Sequence, residues 1–115
     1  MSVKIYHNPA CSKSRAALAL LESEGHEPVV VKYLDVPPSA DELRAIARAL
    51  GVGPRDFMRK GDALYSSLNL GDEGLSEEAL FEAMAENPKL IERPIVVTVK
   101  GARIGRPTEN ILDIL

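Results

Sequence analysis

The chain predicts an α/β fold: a mixed four-stranded sheet with a block of helices inserted between the second and third strands. Three observations carry this. Short apolar or alternating runs lie toward both ends, at residues 3–6, 28–34, 94–99 and 102–105, whereas residues 39–86 show capped helical periodicity. A length of 115 residues with 45% hydrophobic content is enough for a packed core without disulfides or a structural metal. No repeat, low-complexity tract or long linker interrupts residues 1–115, so one domain is expected.

Val3-Lys4-Ile5-Tyr6 alternates like a strand, and the Ala-, Leu- and Glu-rich stretch from Ala16 to Glu24 reads as a helix stopped by Gly25. Pro28-Val29-Val30-Val31-Lys32-Tyr33-Leu34 is the most strand-like segment, and strand, helix and strand in that order make a βαβ unit with a right-handed crossover. Pro37-Pro38 ends the second strand. Ser39-Ala40-Asp41-Glu42 has capping-box spacing ahead of Leu43, Ile46, Ala47 and Leu50, and Gly51 closes that helix. Shorter helices are expected over Pro54–Lys60, Asp62–Leu68 and Ser76–Glu86, the last stopped by Asn87-Pro88. The chain then returns to β structure. Pro94 to Val99 is a strand, Lys100-Gly101 a tight turn, Ala102 to Gly105 its partner strand, and Pro107 to Leu115 a final helix.

Composition excludes several classes of function. One cysteine can form neither an internal disulfide nor a cysteine-based zinc cluster, and two histidines in different contexts give little support for another metal site. A net charge of −3 and a pI near 5.4 argue against broad nucleic-acid binding while leaving room for a local basic pocket. Two Phe, three Tyr and no Trp make no base-stacking platform. The N-terminus has no apolar stretch of signal-peptide length, and no run reaches the roughly 20 residues that span a bilayer. A cytoplasmic protein without membrane or nucleic-acid partners is the expectation.

The single cysteine, Cys11, falls in Tyr6-His7-Asn8-Pro9-Ala10-Cys11-Ser12-Lys13-Ser14-Arg15, on the turn that opens the first helix. Free N–H groups and the positive end of the helix dipole point at such a position. A thiol of pKa near 8.5 is about 3% thiolate at pH 7, but one lowered to roughly 6.5 is about three quarters ionised. The same N–H groups can hold an oxyanion. A lone cysteine is often a small buried hydrophobe, but polar neighbours ahead of a helix argue for a nucleophile. His7, at a strand end, reads either as a surface residue or as an imidazolium that favours the thiolate. Ser12 or Ser14 can cap the helix or hydrogen-bond the thiolate, Lys13 and Arg15 read as solvent-facing, and His26 has no evident partner.

Two parallel strands joined by a helix, then a hairpin and a closing helix, is the element order of a thioredoxin-like core with a helical insertion. That fold places its active site at the start of the first helix and at an Arg-Pro step before the third strand, where Arg93-Pro94 stands. The proline there is usually cis, which sets an expectation for Pro94.

Five patches in order, His7-Asn8-Pro9-Ala10-Cys11 with Ser14-Arg15, Tyr33 to Pro38, Met58-Arg59-Lys60, Glu92-Arg93-Pro94-Ile95-Val96-Val97 and Arg103-Ile104-Gly105-Arg106-Pro107, resemble the glutaredoxin-coupled arsenate reductases nearly end to end. The resemblance implies that Cys11 is the nucleophile, His7 the histidine that helps activate it, and Arg59, Arg93 and Arg106 the three arginines around the oxyanion; Ser14, beside the thiol, is expected as a further substrate-binding residue. The chain ends at Leu115, where longer members continue, and reads Cys11-Ser12-Lys13-Ser14 where the longer branch differs, so it is more similar to a short subgroup.

The implied activity is reduction of arsenate to arsenite, an arsenic detoxification reaction. A planar guanidinium suits such an oxyanion because it makes paired hydrogen bonds to two oxygens. With one thiol in the chain, the two electrons must come from external thiols. The resemblance names these as glutathione and glutaredoxin acting on a monomeric oxidoreductase with no bound cofactor and no metal. Two other readings stay open: a thiol oxidoreductase of the same family acting on another substrate, and an interaction protein like the related RNA-polymerase-binding regulators. Those regulators carry a Cys-x-x-Cys switch whose fourth position here is Ser14.

Overall fold

The computed structural model describes residues 2–115, which form two compact units: residues up to Val36 together with Arg93–Leu115, and Pro37–Glu92. The first unit is the sheet. Strands β1 (Lys4–Tyr6), β2 (Val29–Val31), β3 (Ile95–Thr98) and β4 (Gly101–Ile104) lie in the order β2-β1-β3-β4. β1 pairs parallel with β2, antiparallel with β3, and β3 pairs antiparallel with β4, so the sheet is mixed as expected. Helix α1 (Ser12–Ser23) crosses from β1 to β2.

Ala17 and Leu21, one turn apart on α1, are fully buried against Val3, Ile5, Val96, Ile111 and Ile114. Emptying one such site, as in Leu→Ala, costs about 2–5 kcal/mol, which makes this cluster the anchor of α1 and hence of the loop preceding it. The C-terminal segment Thr108–Ile114 closes the same core, tied to β3 by the Thr98 hydroxyl donating to the Ile114 carbonyl at 2.7 Å.

The second unit is helical. α2 (Ala40–Leu50) starts at Ser39, whose Oγ accepts from the Glu42 N–H at 3.1 Å, and ends at Gly51, whose φ of 76° lies in the left-handed region where a side chain is strained. α3 (Ala63–Ser67) and α4 (Glu77–Glu86) are capped by Asp62 and Ser76 in the same way. Leu43, Ile46 and Ala47 of α2 and Leu80, Phe81 and Met84 of α4 are the buried faces, and the Arg44 guanidinium lies 5.5 Å from the Phe81 ring.

Two expectations are corrected. The second strand is shorter than Pro28–Leu34, because the Lys32 carbonyl accepts from the N–H groups of Asp35 and Val36 and turns the chain after Val31. The helix expected over Pro54–Lys60 is a 3₁₀ turn, Pro54–Phe57, since Arg59 instead donates its N–H to the Leu90 carbonyl at 2.7 Å. The closing helix expected over Pro107–Leu115 spans Thr108–Ile114 and is 3₁₀. The Arg93-Pro94 peptide is cis as expected, and Arg106-Pro107 is cis as well. Among the described residues no helix is long and apolar enough to cross a membrane.

Candidate active site

Cys11 is the N-cap of α1, in extended backbone with φ −96° and ψ 123°, and its own side chain makes no capping bond. The sulfur is therefore free to face outward while the first-turn N–H groups point toward it. The loop before it is held at several points. The Cys11 N–H donates to the Asn8 carbonyl at 3.0 Å, the Ala10 N–H to Asn8 Oδ1 at 3.0 Å, and the Arg15 guanidinium to the Pro9 carbonyl at 2.9 Å. Asn8 and Pro9 thus form a short turn whose backbone groups are spoken for. Arg15 was read from sequence as solvent-facing; it is exposed, yet it clamps this turn.

Ser14 is fully buried, one turn into α1. Its Oγ accepts from the Asn8 N–H at 3.0 Å and lies 2.6 Å from His7 Nδ1. The hydroxyl is thus committed inward, and what Ser14 presents to the thiol is its backbone N–H. His7 is buried at 5% exposure, not a surface residue. Burial first, then the charges of Lys32 and Arg15, hold its pKa below 6.5 against the hydrogen bond to Ser14 that raises it. That direction favours the neutral imidazole, hydrogen-bonded to Ser14, over an imidazolium beside the thiolate.

Burial alone pushes the Cys11 thiol up. The Ser14 N–H, the Arg93 side chain and the Lys13 N–H outweigh that push, and the thiol lies below its ordinary value. Arg106 reaches the same sulfur, with Nη2 3.7 Å from Sγ, and its Nε donates to the Arg93 carbonyl at 2.7 Å. Residues 82 and 95 positions away in sequence thereby reach one sulfur. Of the sequence candidates, the structure gathers Cys11, His7, Ser14, Arg93 and Arg106 within the sheet unit. Arg59 belongs to the helical unit, where its guanidinium is 3.6 Å from the Asp62 carboxylate.

Two residues escaped the sequence reading. Asn8 organises the loop through three separate bonds, and an Asn two positions before a small residue ahead of a helix is the signal for such an Asx turn. Gly105, in the Gly-Arg-Pro step just after β4, packs against Pro94 just before β3: a Cβ there would lie 2.9 Å from Pro94 Cγ. A groove of about 650 Å³ lies inside the helical unit, but its Arg44 is already held by Asp41 and Glu78, which leaves that cation neutralised. Among the described residues no group of three or more His, Cys, Asp or Glu could hold a metal ion.

The site combines a thiol, first-turn N–H groups and two guanidinium groups, a set suited to a small oxyanion and a sulfur nucleophile. Comparison with known proteins gives the same direction. The ArsC family model matches residues 6–114. An arsenate reductase of Haemophilus influenzae is 53% identical over the full length of both chains, and the Uncharacterized protein YfgD of Escherichia coli K12 is 56% identical over 98% of this chain and 96% of its own. The solved structure of an arsenate reductase from Vibrio cholerae superposes with a TM-score of 0.98 at 59% identity, covering 100% of this chain and 98% of that one. Identity above half along the whole length, on a shared thioredoxin-like fold, leaves one assignment: the chain belongs to the ArsC family.

Proposed function

We propose that this protein is an arsenate reductase in which Cys11 is the nucleophile and Arg93 and Arg106 hold the oxyanion. The observation that carries the reading is the Arg106 guanidinium 3.7 Å from the thiol of the residue that begins α1, a thiol whose pKa is held down. The thiolate attacks arsenic, an S–As bond forms, and one arsenate oxygen leaves as water with protons drawn from solvent. The first-turn N–H groups and the two guanidinium groups neutralise the remaining oxygens as charge shifts onto them. Ser14 and His7 act behind the thiol, holding the loop so that the Ser14 N–H stays aimed at it. Arg59, to which the family resemblance gives a third place around the oxyanion, is tested separately by Arg59→Ala.

The covalent adduct needs two electrons, and Cys11 is the chain's only thiol. An external thiolate therefore attacks the Cys11 sulfur, and the S–As electron pair moves onto arsenic. Arsenic falls from As(V) to As(III), arsenite departs, and a mixed disulfide remains on Cys11. A second thiol cleaves that disulfide and restores the Cys11 thiolate, so two thiols are oxidised to one disulfide per arsenate. Glutathione, followed by glutaredoxin, suits this role in the reducing cytoplasm. The protein itself works as a monomer and holds no cofactor.

The test is arsenite formation from arsenate with glutathione, glutaredoxin and purified protein, beside Cys11→Ser. Turnover in the wild type that falls at least about 10³-fold in a folded Cys11→Ser variant supports the reading. A folded wild type without turnover rejects it.

A further inference from the structure

We infer that Gly105 is a positioning residue of the thiol site: its missing side chain lets the arginine-bearing ends of β3 and β4 close on each other at the spacing that brings both guanidinium groups to Cys11. The inference rests on the reading that Arg93 and Arg106 serve that thiol. Gly105 is buried and its φ lies outside the left-handed region, so an L-residue could adopt its backbone. What excludes a side chain is space. A Cβ would stand 2.9 Å from Pro94 Cγ, 3.5 Å from Ala17 Cβ and 3.6 Å from Ile111 Cγ2. The first distance is well inside carbon contact, roughly 3.5–4.0 Å, and the other two are already at ordinary contact distance.

The three neighbours are rigid. Pro94 is a ring, Ala17 is fixed in α1, and Ile111 is in the closed core. A methyl group at Gly105 must therefore move the strand entry that Pro94 begins. Two short bonds transmit that movement to the arginines: the Gly105 N–H donates to the Pro94 carbonyl at 2.9 Å, and Arg106 Nε donates to the Arg93 carbonyl at 2.7 Å. Arg93 directly precedes Pro94, and Arg106 directly follows Gly105. The same methyl group would stand in contact with Ala17 Cβ at 3.5 Å, six residues along α1 from Cys11.

The experiment compares Gly105→Ala with Gly51→Ala, a glycine of the helical unit where the φ of 76° strains a side chain but a Cβ has nothing within 4 Å. Both variants should lose thermal stability. Two further readouts are taken: the pH midpoint of Cys11 alkylation by iodoacetamide, which needs no arsenate, and the KM and kcat for arsenate. Gly105→Ala should move the alkylation midpoint upward by half a pH unit or more and lower kcat/KM for arsenate about 10- to 100-fold, the scale of a displacement near 1 Å at a reacting centre. Gly51→Ala should leave the midpoint in place and kcat/KM within about twofold.

If folded Gly105→Ala keeps the wild-type midpoint, the inference fails, whatever happens to stability. Should Gly105→Ala alone not give folded protein, the double variant A17G/G105A opens room beside α1 while keeping the methyl group against Pro94, and the same midpoint decides. A wild type that alkylates as described but turns over no arsenate would remove the proposed function and leave the positioning role intact.

Discussion

The sheet unit carries eight Lys and Arg against six Asp and Glu, and the helical unit six against eleven. In the sheet unit Glu22, Glu24 and Glu27 gather at or beyond the C-terminal end of α1, a 12-residue helix about 18 Å long, while Lys13, Arg15, Arg93 and Arg106 gather around its start. Three of the helical unit's six cations, Arg44, Arg55 and Arg59, have partners within it. Arg44 is bonded to Asp41 and Glu78, and Arg55 donates to the Tyr65 hydroxyl and to the carbonyls of Leu70 and Asp72. An overall charge of −3 therefore hides a positive end where the thiol lies. Arginine count says little about anion binding until one knows which guanidinium groups already have partners.

The sharpest way to break this contrast is to delete one arginine from each unit. Arg106→Ala or Arg93→Ala should lower kcat/KM for arsenate about 10²- to 10³-fold, the range for removing one donor to a developing oxyanion. Arg55→Ala should instead leave kcat/KM within about twofold and cost about 1.5–3 kcal/mol of stability in urea unfolding, because it removes charged hydrogen bonds to carbonyls. Equal losses of activity in the two variants would show that the helical unit's cations are not simply structural.

A smaller effect comes from serines in different settings. Ser14→Ala strands the Asn8 N–H and His7 Nδ1 in a buried place, at a cost of about 1–3 kcal/mol, and should raise the pH midpoint of Cys11 alkylation as the loop loosens. Ser39→Ala and Ser76→Ala remove caps from α2 and α4, at about 1 kcal/mol each, and should leave that midpoint unmoved. A cap variant that shifted the thiol's titration would couple the two units in a way that their separate charge patterns do not suggest.

The two units also differ in how far they were legible in the sequence. Helix starts at Ser39, Asp62 and Ser76 and the stop at Gly51 could be read directly, because capping is local chemistry written within four residues. β2 was read too long because Tyr33 is apolar and buried, and burial in a turn has the same composition as burial in a strand. At the site, Cys11 on the first turn of α1 was legible from periodicity alone. The roles proposed for Arg93 and Arg106 came through family resemblance, since nothing local marks an arginine whose partner lies dozens of residues away. Gly105 and the inward-facing Ser14 hydroxyl stayed hidden for the same reason: each is explained by a neighbour across the fold.

The mildest expected effect is a pH dependence confined to the sheet unit. Folded His7 resists its proton because it is buried beside the charges of Lys32 and Arg15, with the Ser14 hydrogen bond only partly offsetting them. Well above pH 6.5 the residue is neutral in both folded and unfolded chains and contributes no pH dependence. As pH falls through 6.5, the unfolded chain binds a proton that the folded one refuses, so stability drops until the folded imidazole protonates in turn. The slope from this residue is at most about 1.4 kcal/mol per pH unit. Urea midpoints of wild type and His7→Gln at pH 7.5 and 5.5 measure it: the wild type should lose more stability on acidification than the variant. Parallel losses would mean that the acid sensitivity belongs to carboxylates, eleven of the seventeen being in the helical unit, and that the buried imidazole is not its source.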